Sequence, residues 1–203
     1  MLDGVARRLL GPALDAAGRR LAARGVTADT VTLAGFLVGT AAAAAIATES
    51  YLLGLALLLL SRLADGLDGA VARHTRKTDL GGFLDITLDF AFYGLVPLAF
   101  VAADPQGRGL AGAVLLFSFY ANGATFLAYA VMAERRGMGT EARGPKSLYF
   151  TTGLAEATET ILVFCAFCLF PRAFAPIAYA FAAVTLMTAG ARILLAVRTL
   201  DEG

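Results

Sequence analysis

Long apolar stretches dominate the chain, and short polar segments separate them. Six stretches reach the length of about 20 residues that a membrane-spanning helix needs. We place them near residues 30–49, 51–74, 82–103, 109–133, 147–169 and 174–197. Their length and their lack of apolar–polar alternation argue against β-strands. The pattern therefore predicts an all-α fold, a bundle of six transmembrane helices.

A different pattern precedes the first apolar stretch. Residues 2–24 place leucines at roughly helical spacing with arginines between them, which predicts an amphipathic helix. Such a helix suits the headgroup plane of a membrane, although a cytosolic cap on the bundle would show the same pattern. We therefore divide the chain into a juxtamembrane helix, residues 1–26, and a transmembrane domain, residues 27–203.

The composition fits a membrane protein. Hydrophobic residues make up 58% of the chain and charged residues 16%, whereas soluble domains carry about 25% charged residues. The formal net charge is +1, so overall charge favours no particular partner, and we expect no nucleic-acid binding. Cys165 and Cys168 form a C-x-x-C inside an apolar run, where packing in a buried helix is a better explanation than redox or metal chemistry.

Basic residues between the apolar stretches predict the orientation, because cytoplasmic loops are enriched in Lys and Arg. One side of the membrane receives most of them: Arg7, Arg8, Arg19, Arg20, Arg24, Arg76, Lys77, Arg135, Arg136, Arg143 and Lys146. The other side receives Arg108 and Arg172. We therefore expect both termini in the cytoplasm, in a protein of the bacterial inner membrane.

Four aspartates flank the predicted cytoplasmic turn between the second and third stretches. Asp65 and Asp68 are three residues apart, and Asp85 and Asp89 are four apart, so each pair shares one face of a helix. Because the turn is short, we expect the two helices to be antiparallel neighbours. The four carboxylates then converge near the cytoplasmic ends of these helices.

Such a cluster needs compensation. One carboxylate at mid-membrane costs about 2.5–3.5 kcal/mol on insertion scales, and neighbouring carboxylates also repel each other. Divalent cations with oxygen ligands offset both effects, and a pair of ions can stabilise the attacking and leaving oxygens of a phosphoryl transfer. Solvated acids at the membrane edge would explain one or two of these residues but fit four poorly. We expect Mg²⁺ or Mn²⁺, two ions in all, bound to Asp65, Asp68, Asp85 and Asp89.

The segment resembles the signature of the CDP-alcohol phosphotransferase family, D-x-x-D-G-x-x-A-R, a spacer, then G-x-x-x-D-x-x-x-D. The matching positions are Asp65, Asp68, Gly69, Ala72, Arg73, Gly81, Asp85 and Asp89. Seven residues separate Arg73 from Gly81, where the family usually has eight. The missing residue falls in the turn, where a deletion is tolerated.

The resemblance implies a role for each matching position. Asp65, Asp68 and Asp85 correspond to metal ligands, and Asp89 to the residue that contacts the second ion and accepts the proton of the acceptor hydroxyl. Gly69, Ala72, Arg73 and Gly81 correspond to positions that bind the CDP group. The implied reaction transfers a phosphatidyl group from CDP-diacylglycerol to an alcohol and releases CMP. The family also implies a homodimer.

Asp29 stands in a T-A-D-T-V-T segment where the family often has T-P-N-x-x-T. Its side chain could cap the first transmembrane helix, as aspartate often does. A contact to the nucleotide or a metal ion fits the position equally well, and we include Asp29 among the cofactor-binding candidates.

The acceptor is less defined. Arg143 and Lys146 on the second cytoplasmic loop would suit a phosphorylated alcohol, and glycerol 3-phosphate is our first expectation, although orientation alone also explains cations there. Glu156 and Glu159 lie one helical turn apart in the fifth stretch, where acids are functional candidates. They could bind the acceptor or pair with basic residues, so serine, choline and inositol phosphate stay open. A membrane cation carrier without enzymatic activity is the distant alternative.

Overall fold

The structure is a computed structural model that describes residues 3–137 and 157–200, and the side chains from residue 8 onward. These residues form seven α-helices and one 3-10 turn. The helices are α1 (Asp3–Ala23), α2 (Ala28–Ala47), α3 (Tyr51–His74), α4 (Asp79–Ala103), α5 (Pro105–Arg135), α6 (Ala157–Leu169) and α7 (Phe174–Leu200). The 3-10 turn, Pro171–Ala173, connects α6 to α7.

Helix α2 lies between α3 and α4 because small residues allow both helices to approach it. A Cβ atom added at Gly35 would lie 2.9 Å from the Cβ of Ala64 on α3. A Cβ at Gly39 would lie 2.7 Å from Cδ2 of Phe92 on α4. The Ser61 hydroxyl on α3 also donates a 2.8 Å hydrogen bond to the carbonyl oxygen of Gly35. Helix α2 is therefore antiparallel to α3 and parallel to α4.

The expectation that α3 and α4 are close neighbours is wrong at the level of the backbone. Both helices pack extensively on α2, and they make few close backbone contacts with each other. Gly35 and Gly39 allow α3 and α4 to approach α2 closely. The space between α3 and α4 is therefore filled by side chains, including those of the acidic residues.

A second pair of helices, α5 and α7, runs side by side and parallel. The guanidinium of Arg192 on α7 donates to Oδ1 of Asn122 on α5 at 2.9 Å. Seven residues further along both helices, the hydroxyls of Tyr129 and Thr199 are 3.2 Å apart. Arg136 then donates to the carbonyl oxygens of Thr199 and Leu200, which places a cation at the C-terminus of α7 as the helix dipole favours.

Aromatic side chains fill the core of the bundle, beginning with Phe92 beside Arg62. Five phenylalanines there are fully buried: Phe92, Phe100, Phe164, Phe167 and Phe174. The ring centroids of Phe167 and Phe174 lie 4.6 Å apart, and those of Phe100 and Phe174 lie 5.1 Å apart. Cys168 is buried beside this cluster and Cys165 is half-buried, and both are free thiols. Their environment fits the packing role expected from the sequence.

Among the described residues, four segments are long and apolar enough to cross a membrane: α2, α4, α5 and the segment Pro171–Leu200. The described part of α6 has 13 residues, and the second half of α3 carries acidic and basic side chains. Many large apolar side chains face outward, such as Leu52, Phe117, Met187 and Leu194, as lipid contact would require. The six-span count and the interfacial position of α1 stay predictions.

The predicted boundaries are close for most helices. Predicted and observed bounds agree for 51–74, and α2 begins two residues before the predicted start at residue 30. Helix α4 begins at Asp79 because the Thr78 side chain accepts a hydrogen bond from the N–H of Gly81 at 3.0 Å and caps the helix. The N-terminal part of the predicted segment 147–169 lies outside the described residues.

Candidate active site

Three aspartates meet between α3 and α4. Asp65, Asp68 and Asp85 each offer a carboxylate oxygen within 4.8 Å of the other two. Ligand oxygens on opposite sides of a Mg²⁺ ion are about 4.2 Å apart, since each Mg–O bond is about 2.1 Å. The spacing and the oxygen-only donor set therefore fit one hard divalent cation. These three residues come from the second half of α3 and the first half of α4, beside the turn that joins them.

Asp68 is the most enclosed of the three. Its exposed fraction is 6%, and its Oδ2 atom accepts a 2.6 Å hydrogen bond from the hydroxyl of Thr32 on α2. The distance is in the range of charge-assisted hydrogen bonds. Thr32 therefore fixes one oxygen of Asp68, and the close fit of α2 against α3 places Thr32 where it can do so.

Asp89 is not one of these three residues, and Arg62 lies near both its side chain and that of Asp65. Nη1 of Arg62 lies 2.6 Å from Oδ1 of Asp89 and 3.4 Å from Oδ1 of Asp65. The Arg62 side chain is 9% exposed, and its guanidinium carbon lies 3.8 Å from the centroid of the Phe92 ring. The carboxylate pair on α4 is therefore divided, with Asp85 near the α3 acids and Asp89 near an arginine.

Sequence reasoning did not identify Arg62. The signal was present, because Arg62 is a single cation within the apolar run LLLLSRLA, three residues before Asp65. A residue at this spacing lies on the same helical face as Asp65. Its contact with Asp89 could not be read from the sequence, because the two residues are 27 positions apart.

A small cleft opens at this point. Side chains and backbone from α2, α3 and α4 line it: Thr32, Gly35, Phe36, Ser61, Arg62, Asp65, Asp85, Leu88 and Asp89. The cleft brings acidic oxygens, a guanidinium and a hydroxyl to one surface. It can therefore hold a cation and the charged oxygens of a phosphate ester close together.

The four positions that resemble a CDP-binding set lie around the acids. Gly69 and Ala72 are on α3, and a Cβ at Gly69 would meet only the Arg73 guanidinium, at 4.0 Å, among the described residues. Gly81 is closely covered, since a Cβ there would lie 2.9 Å from Oδ1 of Asp29. The open surface over Gly69 leaves room for a ligand, whereas Gly81 is needed for the approach of Asp29.

Asp29 does not cap α2, and that interpretation is wrong. The cap is Thr27, whose hydroxyl accepts a 3.3 Å hydrogen bond from the N–H of Thr30. Asp29 lies one residue into the first turn, where an acidic side chain is still favourable for the helix dipole. Its carboxylate points across to the first turn of α4, at the edge of the proposed nucleotide surface.

Helix α1 is attached to the end of α3 by an ionic contact. Oδ1 of Asp15 lies 3.1 Å from Nε2 of His74 and 3.5 Å from Nη2 of Arg73. The hydrogen bond from His74, followed by the charges of His74 and Arg73, lowers the pKa of the Asp15 carboxyl below its usual value. His74 is thus the last residue of α3, and its side chain contacts Asp15.

The acceptor candidates are placed only in part. Arg143, Lys146 and Glu156 lie outside the described residues. Glu159 lies in the first turn of α6 and is half-buried. Arg192 on α7 donates to Asn122 and to the hydroxyl of Thr125, both on α5, at 2.9 and 3.0 Å.

The sequence model of CDP-alcohol phosphatidyltransferases matches residues 25–196 of this chain. The chain belongs to this family. The match begins just before α2 and extends nearly to the end of α7, so it includes all four aspartates. Members of the family are phosphotransferases of phospholipid synthesis that use CDP-alcohol donors, alcohol acceptors and divalent metal ions, so this CDP-alcohol phosphatidyltransferase is an enzyme of that class.

Individual relatives agree with the family. Inner membrane protein YnjF of Escherichia coli (strain K12) is 45% identical over 193 residues, which are 95% of this chain and 94% of the relative. An archaetidylinositol phosphate synthase of Methanothermobacter thermautotrophicus is 38% identical over 160 residues, 78% of this chain and 71% of the relative. A protein of the same name from Pyrococcus horikoshii is 36% identical over 90 residues, 44% of this chain and 47% of the relative. No solved structure matches the chain.

The apolar helices and the similarity to an inner membrane protein identify this CDP-alcohol phosphatidyltransferase as an integral membrane protein. Its charged cluster then lies in a protein whose outer surface is largely apolar. Charges in such surroundings are expensive unless they are paired or bind ions. The acid cluster and its arginine are therefore the part of the chain where the chemistry of the family is best placed.

Proposed function

We propose that this enzyme transfers a phosphatidyl group from CDP-diacylglycerol to the hydroxyl of a small phosphorylated polyol and releases CMP. The observation that carries the proposal is the meeting of Asp65, Asp68 and Asp85 within 4.8 Å in a chain of this family. The three carboxylates would hold a divalent cation, Mg²⁺ or Mn²⁺, which supplies electrostatic stabilisation of the phosphate oxygens. The family resemblance favours a second ion beside Asp89.

Each remaining residue of the site has a proposed task. Asp89 accepts the proton of the acceptor hydroxyl, so that the oxygen can attack the phosphorus next to the lipid. The bond from that phosphorus to the oxygen of CMP then breaks, and CMP leaves with the electron pair. Arg73, which is half-exposed at the end of α3, is suited to bind a phosphate of the donor with its guanidinium fork. Gly69 and Ala72 allow the nucleotide to approach the backbone. Gly81 makes room for Asp29, which lies beside the nucleotide in this proposal.

The acceptor is proposed from two observations. Two relatives are named archaetidylinositol phosphate synthases, which supports an inositol phosphate acceptor. Glycerol 3-phosphate, the first expectation from the sequence, has the same combination of hydroxyl and phosphate, and Arg143 and Lys146 would suit the phosphate of either compound. We therefore place a phosphorylated polyol first, ahead of serine or choline. Glu156 and Glu159 are proposed to bind polyol hydroxyls.

We further propose a homodimer in the inner membrane, with the active site and both termini facing the cytoplasm. The basic residues of the turn and loop segments support this orientation, because such residues accumulate on the cytoplasmic side. The water-soluble acceptor and CMP would then enter and leave from the compartment where nucleotides are used.

The test is an acceptor comparison with purified protein, CDP-diacylglycerol and Mn²⁺. Inositol phosphate and glycerol 3-phosphate are compared with myo-inositol, serine and choline, and CMP release and the mass of the lipid product are measured. We expect a product with a phosphorylated polyol and none with Asp89→Asn. A product formed with serine or choline instead would contradict the proposed acceptor class. Absence of CMP release with all five compounds would contradict the proposed transfer.

A further inference from the structure

The guanidinium of Arg62 occupies the side of the acid cluster that faces Asp89. It lies 2.6 Å from Asp89 and 3.4 Å from Asp65, and its side chain is 9% exposed. At these distances and this degree of burial the interaction is only weakly screened by solvent. Two of the four carboxylates therefore share the single positive charge of a residue of the chain itself.

The position of Arg62 is held by the packing of three helices. Its guanidinium lies over the Phe92 ring at 3.8 Å, and its Nη2 atom donates to the Ser61 hydroxyl at 3.2 Å. The Ser61 hydroxyl in turn donates to the backbone of Gly35 on α2. The aromatic ring binds a cation without neutralising it, so the arginine keeps its charge for the carboxylates.

The hydrogen bonding of the Arg62 guanidinium is nevertheless incomplete. Its Nε atom is buried and has no hydrogen-bond partner among the described residues. A buried donor without a partner costs free energy, so this arrangement of the guanidinium is not the best that an arginine can reach. The contacts with the carboxylates are therefore the kind that an incoming cation can replace.

We propose that Arg62 is a counter-cation of the acid cluster that competes with divalent ions for Asp65 and Asp89. This inference rests on the proposed metal-dependent transfer. Arg62 keeps Asp65 and Asp89 beside each other when no ion is bound. It also weakens ion binding, because the ion must displace or approach a positive charge. The site can then release its ions after each reaction rather than bind them permanently.

A purely structural role for Arg62 predicts a change in ion affinity in the opposite direction when the arginine is removed. If the arginine only organised the carboxylates, its removal would disorder them and weaken ion binding. If it competes with the ion, its removal leaves a more negative cluster that binds the ion more tightly. The direction of the change therefore separates the two roles, independently of enzymatic activity.

The experiment measures Mn²⁺ affinity of the purified full chain by electron paramagnetic resonance of the free ion. We expect Arg62→Gln and Arg62→Met to bind Mn²⁺ at least tenfold more tightly than the wild type. Arg62→Lys keeps the charge and should stay within about threefold of the wild type. The thermal stability of the metal-free protein should fall in the Gln and Met variants and recover when Mn²⁺ is added.

Arg108 offers a matched control. It is 13% exposed, lies over the rings of Tyr51 and Phe100 and is 3.8 Å from Asp104, far along the chain from the acid cluster. Arg108→Gln removes another largely enclosed guanidinium near aromatic rings and should leave Mn²⁺ affinity unchanged. An equal increase in affinity in this variant would overturn the inference, because the effect would then come from net charge alone.

A second measurement covers the case in which the Gln and Met variants do not fold. NMR spectra are recorded on protein with isotope-labelled arginine. The side-chain Nε signal of Arg62 is the wild-type signal that is missing from the spectrum of Arg62→Lys. We expect this signal to shift when Mg²⁺ is added, and the Arg108 signal to stay in place. An Arg62 signal that does not move at saturating Mg²⁺ would overturn the inference.

The outcomes also distinguish this inference from the proposed function. Unchanged or weaker Mn²⁺ binding in Arg62→Gln, with wild-type transfer intact, overturns the role of Arg62 alone. If the wild type itself bound no Mn²⁺, the proposed metal-dependent transfer would fail together with the inference.

Discussion

The hydrogen bond between Thr32 and Asp68 is the most informative contact to remove. The Thr32 hydroxyl lies 2.6 Å from Oδ2 of Asp68 and 3.1 Å from the carbonyl oxygen of Ala28. Because the hydroxyl has one proton and the shorter contact is to a charged acceptor, the proton points to Asp68. Thr32→Val keeps the shape of the side chain and removes this donor.

The size of the expected change in ion affinity follows from the geometry of this hydrogen bond. A hydrogen bond to a charged group contributes about 1.5–3 kcal/mol. Asp68 is 6% exposed, so water has little access to replace the lost donor. Residues that orient metal ligands typically change metal affinity by about 10–100-fold when mutated. This range corresponds to about 1.4–2.8 kcal/mol, in agreement with the hydrogen-bond value.

We therefore expect Thr32→Val to weaken Mn²⁺ binding by about 10–100-fold. The assay is the titration of purified protein with Mn²⁺ at fixed pH, with the free ion measured by electron paramagnetic resonance. Thr40→Val is the matched control on the same helix. The Thr40 hydroxyl is exposed and bonds only the carbonyl oxygen of Phe36, at 3.0 Å, among the described residues, so its loss should leave affinity unchanged.

Wild-type Mn²⁺ affinity in Thr32→Val would refute this reasoning. It would mean that Asp68 is not an ion ligand, or that its orientation does not depend on Thr32. An equal loss of affinity in both threonine variants would also refute it, because the effect would then come from α2 as a whole and not from the contact with Asp68.

Three further predictions concern the base and the attachment of α1. Asp89→Asn should reduce turnover at least a hundredfold, measured as CMP release, because the hydroxyl proton loses its acceptor, while Mn²⁺-dependent binding of CDP persists. Asp15→Asn should increase amide exchange in α1 at neutral pH. The Asp15 pKa is lowered in the fold, so its carboxylate stabilises the attachment fully above its usual pKa of 3.8. The difference from wild type should decline below that value and be lost as the pH falls through the lowered pKa of the folded protein. Gly18→Leu should displace α1, because a Cβ there would lie 2.7 Å from the Cβ of Ala70, and circular dichroism should show a lower unfolding temperature.

Each of these predictions has a control. Asn at position 15 should affect exchange in α1 and not in α5 or α7, and an effect that does not diminish as the pH falls through the lowered pKa of Asp15 would contradict the ionic explanation. Gly11→Leu is the control for Gly18→Leu, because a Cβ at Gly11 would have no neighbour within 4 Å among the described residues. Equal destabilisation by both glycine substitutions would show that helix propensity and not the contact with α3 is responsible. Normal turnover in Asp89→Asn would exclude Asp89 as the base.

Much of the fold could be predicted from the sequence because the signals are local. A long apolar run predicts a helix wherever the rest of the chain lies, and α2, α3, α5 and α7 were placed within four residues of their observed bounds. The helix α1 was also expected, from the spacing of its leucines. The start of α2 was less clear, because Thr27 and Asp29 both suit a cap and the choice depends on the backbone of the first turn.

The arrangement of helices could not be predicted in the same way. The short connection between α3 and α4 suggested direct packing, yet α2 separates their backbones. The reason is the small-residue face of α2, where Gly35 and Gly39 allow α3 and α4 to approach closely. The contact of Asp15 with the end of α3 likewise joins residues 59 positions apart.

The sequence by itself determined the helical class, the long apolar segments and the spacing that puts each pair of aspartates on one helical face. These properties follow from the period of the helix and from composition, and neither depends on the path of the chain. Only the tertiary structure decided how the aspartates are divided, with Asp85 beside Asp65 and Asp68, and with Asp89 in contact with Arg62. That division depends on the distance between α3 and α4, which the packing of both helices on α2 sets.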